Sequence, residues 1–103
     1  MIFIVNKHRH STDMRQNNAV KIYCGRGSPL GNPFQLTVDS SRDQVCDRYQ
    51  AYFDKHKTPG MIQQLGYILA VATEGDVALE CYCAPKRCHC ETIKAHIEVG
   101  LHE

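Results

Sequence analysis

Short β-rich runs precede and follow amphipathic helical patterns within one short chain, and this order constrains the fold more than any other feature of the sequence. Ile2–Val5 has the composition of a buried strand. Ala19–Cys24 resumes a strand pattern, with Val20, Ile22 and Cys24 on one face and Lys21 and Tyr23 on the other. Val77–Tyr82 is the third candidate strand. Between the second and third, Ser40-Ser41-Arg42-Asp43-Gln44 offers two overlapping capping boxes, Ser40 with Asp43 and Ser41 with Gln44. Val45, Tyr49, Tyr52, Phe53 and His56 follow at helical spacing, so a helix is expected over 41–56. Thr58-Pro59 supplies an N-cap and a first-turn proline. The apolar stripe Met61, Ile62, Leu65, Ile68, Leu69 and Ala72 behind it predicts a second helix ending near Gly75. Ile93, Ile97 and Leu101, four apart, predict a last helix over Glu91–Leu101. The expected fold is therefore α/β, a single small domain over residues 1–103 with a short, mainly parallel sheet and about three helices.

In such sheets ligands bind beyond the carboxyl ends of the strands. Both unusual segments of the chain lie there. The loop Gly25–Phe34 leaves the second strand and the loop Cys83–Cys90 leaves the third, so parallel neighbours bring the two loops together.

The chain has 103 residues, enough for one modest core, and its hydrophobic fraction of 43% is that of a folded domain. A formal net charge of +1 gives no global field toward nucleic acid or membrane. Met1–Val5 is apolar but runs directly into Asn6-Lys7-His8-Arg9-His10, without the charged leader or cleavage site of a signal peptide. No apolar run reaches the roughly 20 residues that cross a bilayer. A cytoplasmic protein is expected, with its six cysteines reduced by default. Metal binding or thiol chemistry thereby gains weight over cross-linking.

The loop Gly25-Arg26-Gly27-Ser28-Pro29-Leu30-Gly31-Asn32-Pro33-Phe34 combines backbone permissiveness, a guanidinium and a hydroxyl. Glycines let a ligand approach main-chain N–H groups, and arginine grips phosphate or carboxylate in bidentate fashion. Gly25, Arg26, Gly27, Ser28, Gly31 and Asn32 are the candidate ligand-binding residues. The spacing matches neither a Walker loop nor a dinucleotide fingerprint, and a rigid turn with a solvated Arg26 is the competing reading.

Cys81–Cys90 holds four of the six cysteines and a histidine. Three uses compete for it. A thiol site would place Cys83 or Cys88 near the start of the last helix, beside Lys86, Arg87 and His89, where a thiolate is stabilised. Cys83, Cys88 and His89 are the candidate catalytic residues on that reading. Zinc has donors enough, but C-x-C spacing and the contiguous run Cys88-His89-Cys90 argue against convergence on one ion, so no metal ligand is assigned. The third use is structural: Cys81 and Cys83 as small buried hydrophobes, with His89 capping or bracing the helix. Cys24, Cys46 and the stripe Tyr49, Tyr52, Phe53 read as core, and Lys7-His8-Arg9-His10 as a solvated loop.

Taken together, G-R-G-S-P-L-G-N-P-F, the R-x-x-V-x-x-x-Y-x-x-Y spacing of Arg42, Val45, Tyr49 and Tyr52, and C-Y-C-A-P-K-R-C-H resemble the domain-of-unknown-function family numbered 4326, small proteins and domains of bacteriophages and bacteria. The resemblance covers roughly residues 20 to 98. It carries Gly25, Arg26, Gly31, Asn32, Pro33, Cys81, Cys83, Pro85, Cys88 and His89 onto the family's pattern and leaves out Cys90, where the family usually has a small non-cysteine residue. The Lys7–Asn18 segment looks longer than usual for it. No activity follows from the resemblance, and a phage origin would place the protein in the host cytoplasm.

The combined expectation is one pocket, built by the two loops, for a phosphate-bearing small molecule or nucleotide, with thiol chemistry left open. The alternatives are a non-enzymatic protein that binds a host protein, or a zinc-stabilised domain.

Overall fold

A computed structural model describes residues 1–7, 18–34, 41–82 and 86–102. The described strands are β1 (Ile2–Asn6), β2 (Val20–Tyr23) and β3 (Val77–Cys81). The described helices are α1 (Arg42–Lys55), α2 (Pro59–Glu74) and α3 (Cys90–Leu101). The sheet is parallel throughout, in the order β1-β3-β2, so the last strand in sequence lies in the middle. Its composition fits that place: Val77, Ala78 and Leu79 are all fully buried, as a strand covered on both faces requires.

Register divides the sheet into two faces. Ile2, Val77 and Val20 align across the strands, as do Ile4, Leu79 and Ile22. Ile2, Ile22, Val77, Leu79 and Cys81 pack into one core with Tyr49 and Phe53 of α1, Met61, Leu65 and Ile68 of α2, and Ile93 and Ile97 of α3. All three described helices thus contribute to the same side. On the other face Phe3, Ala19 and Ala78 form a small second cluster with Val5. Val20 opens an edge strand and is exposed, unlike its face-mates Ile22 and Cys24.

The helix starts follow local chemistry. Of the two capping boxes in the sequence, the Ser41–Gln44 box forms: the Ser41 hydroxyl accepts from the Gln44 N–H at 3.1 Å, and the Gln44 side chain accepts from the Ser41 N–H at 3.0 Å. Thr58 caps α2 by accepting from the Met61 N–H at 3.2 Å, with Pro59 in the first turn. Ile62 is exposed, because the buried stripe of α2 runs through Met61, Leu65 and Ile68. The third helix begins at Cys90, one residue before the start read from the pattern. Among the described residues no helix is long and apolar enough to cross a membrane.

Candidate functional site

Parallel pairing sends β2 and β3 toward the same edge of the sheet, and the segments that leave them meet there. A cavity of about 270 Å³ lies at that edge. One wall comes from the first loop, with Gly25, Arg26 and Asn32. A second comes from the end of β3 and the approach to α3, with Cys81, Tyr82, Arg87, Cys88 and His89. The first turns of α1 supply the third wall through Arg42, Val45 and Cys46, and Tyr23 completes the lining. Three arginines and a histidine face this space, and no carboxylate lines it among the described residues.

The first loop is braced by its own polar groups. The Ser28 hydroxyl donates to the Gly25 carbonyl at 2.6 Å, and Gly31 N–H donates to the Ser28 carbonyl at 3.0 Å. The side-chain oxygen of Asn32 accepts from the Phe34 N–H at 2.8 Å. Arg26 spans the turn, donating to the Asn32 and Phe34 carbonyls at 2.8 Å each. These contacts use two of the five guanidinium N–H donors, so Arg26 is both a brace and a cavity group. Gly31 is required by space, since a Cβ there would sit 2.5 Å from the Gly25 carbonyl oxygen. Gly27 has φ +89°, the left-handed region that glycine enters without penalty. Of the loop residues proposed from sequence, Gly25, Arg26 and Asn32 line the cavity, whereas Gly27, Ser28 and Gly31 shape the turn behind it.

His89 precedes α3 and makes no side-chain cap to it. The Glu91 carboxylate takes that role by accepting from the Cys88 N–H at 3.0 Å. The imidazole instead reaches across to β2, where Nε2 hydrogen-bonds the Cys24 carbonyl. A carbonyl only accepts, so Nε2 carries the proton and Nδ1 is left as the acceptor nitrogen. Burial lowers the His89 pKa below its ordinary value, which favours this neutral form. The ring also packs edge-on to Tyr49 with centroids 5.0 Å apart, and the Tyr49 hydroxyl donates to the Leu30 carbonyl at 2.8 Å. Helix α1, the first loop and the start of α3 are thereby tied to one another.

The cysteines gather just below the cavity. The Cys81 and Cys88 sulfurs are 3.5 Å apart, and the thiol sulfurs of Cys81, Cys88 and Cys90 all lie within 4.8 Å of one another. All three are buried. This corrects the expectation that contiguous residues would not converge. His89 has αR backbone angles of −61° and −20° and its ring is drawn to Cys24, which leaves the sulfurs flanking it free to meet. The helix start and the nearby basic groups were expected to lower the Cys88 pKa. The structure gives the opposite direction, because hydrogen bonding with Cys81 and burial both push this thiol up. Cys83, the other candidate nucleophile, lies outside the described residues. Cys24 and Cys46 are buried, as the sequence indicated, though Cys46 also borders the cavity.

The third wall was not anticipated. Arg42 and Val45 entered the sequence reading only through their spacing, yet a capping box at Ser41 places the following first turn at the edge of a site. Arg87 lines the cavity while pairing with Asp43 at 3.0 Å and Asp47 at 2.9 Å, which fixes α1 against the approach to α3.

A family model described as a domain of unknown function (DUF4326) matches residues 5–99. The match begins ahead of the segment 7–18 that the sequence motifs had left outside the family-like core. No curated protein and no solved structure matches the chain.

Proposed function

The chain belongs to the DUF4326 family over residues 5–99, and from that footing we propose that its cavity binds a small phosphate-bearing ligand of nucleotide type. The observation that carries this reading is the lining itself, which includes Arg26, Arg42 and Arg87 and no carboxylate among the described residues, with Asp43 and Asp47 pairing with Arg87 from outside it. Guanidinium groups grip phosphate oxygens with paired N–H donors, and their attraction is stronger in a partly enclosed space than in open water. Tyr23 and Tyr82 meet edge to face with centroids 6.0 Å apart, and Tyr82 is half exposed, so an aromatic surface borders the cationic one. Such a surface stacks a base. The volume of about 270 Å³ lies near the lower end of ligand pockets, roughly 300 Å³, and selects a small molecule.

The reading is of binding. A nucleophilic cysteine needs a depressed pKa, hydrogen bonding with Cys81 and burial push the Cys88 thiol the other way, and Cys83 lies outside the described residues.

Thermal unfolding in the presence of a nucleoside, its monophosphate, a sugar phosphate and inorganic phosphate tests the proposal. The monophosphate is expected to raise the melting temperature most, since ligand at 100 times its Kd stabilises by about 2.7 kcal/mol. Among the described residues Arg42 makes one side-chain hydrogen bond, a long one of 3.4 Å to the Arg87 carbonyl. Arg42→Ala should therefore leave the free protein's stability within about 0.5 kcal/mol and remove most of the ligand-induced shift. Wild-type protein that responds to none of the four compounds overturns the reading.

A further inference from the structure

The cysteine cluster borders the cavity through Cys81 and Cys88 but uses none of its arginines. Cys81 closes the central strand, Cys88 precedes α3, Cys90 is its first residue, and Cys24 follows β2. Cysteines that serve only as small hydrophobes scatter through a core; here three buried sulfurs collect at one corner, with Cys24 in the same core cluster. Four thiolates bound at about 2.3 Å to a tetrahedral zinc stand about 3.8 Å from one another. The trio already lies within 4.8 Å, with its closest pair at 3.5 Å, so small side-chain movements reach that figure. Cys24 is fully buried in the same core cluster as the trio, and its carbonyl is held by His89, the residue between Cys88 and Cys90, which makes it the candidate fourth ligand. The sulfurs also sit at the N-terminal end of the twelve-residue helix α3, whose positive end offsets the charge that thiolates bring.

We propose that Cys24, Cys81, Cys88 and Cys90 form a closed, structural four-thiolate site for a soft divalent metal, with zinc as its physiological occupant. Loading exchanges four S–H protons, released to solvent, for one ion bonded to four sulfurs. The ion ties the ends of β2 and β3 to the start of α3, directly beneath the cavity.

Elemental analysis of protein purified without chelator should find one zinc per chain. Cobalt(II) added to the reduced, metal-free protein should give thiolate-to-cobalt charge transfer and the intense visible bands of tetrahedral coordination, saturating at one equivalent. Cys90→Ser and Cys24→Ser should each weaken cobalt binding beyond the roughly 10–100-fold that loss of an outer-shell partner costs. Cys46→Ser should bind as wild type. Reduced wild-type protein that gives no tetrahedral cobalt spectrum overturns the site, and this measurement does not depend on any variant folding. Cobalt binding left intact by Cys24→Ser overturns the four-thiolate centre equally. Neither result bears on the nucleotide titration, which reads the arginine-lined cavity.

Discussion

His89 shows how one residue can line a cavity and brace the fold at once. Its position beside two cysteines invited a catalytic role, yet its Nε2 holds the Cys24 carbonyl and its ring lies against Tyr49. Removing the ring leaves a buried carbonyl unpaired, which costs about 1–3 kcal/mol. His89→Ala is accordingly expected to lower stability by that amount in urea unfolding, whereas a residue serving only a ligand would leave the midpoint nearly unchanged. The sequence could not separate these roles, because the decisive partner is a main-chain carbonyl 65 positions away. Arg26 was legible as a cavity residue, but its two bonds to loop carbonyls were not. The same blindness affected the cysteines. Contiguity along the chain argued that Cys88, His89 and Cys90 would not converge on one ion, while the His89 ring turns to the Cys24 carbonyl and the sulfurs on either side of it gather with that of Cys81.

At the scale of elements the sequence was far more transparent. Periodicity and caps are local, so the starts of α1 and α2 and all three described strands lie within a residue or two of where the pattern put them. Parallel strands also placed both loops at one edge. What stayed hidden was the part played by α1, since nothing in its amphipathic pattern says that its first turn faces the cavity. That placement depends on the Ser41 cap and on the Arg87 pairing with Asp43 and Asp47. Ser41→Ala should cost about 1 kcal/mol through the lost cap. It should also weaken ligand binding more than an exposed substitution further along the same helix, such as Gln50→Ala. Parallel denaturation and titration of the two variants would check this.

For the whole molecule, strand order matters most, and no local signal encodes it. The sheet runs β1-β3-β2, so among the described strands the two nearest the N-terminus both pair with a strand that begins at Val77. A fragment of residues 1–76 therefore contains β1, β2, α1 and α2 but lacks the partner of both strands. It should show no cooperative thermal transition in circular dichroism, while the full chain shows one. The consequence extends to how the protein is made. As a nascent chain it must be made as far as Val77 before β1 meets the strand it pairs with. Until then Ile2, Phe3 and Ile4 lack the strand that they lie against in the folded sheet, so formation of this sheet waits on the third strand.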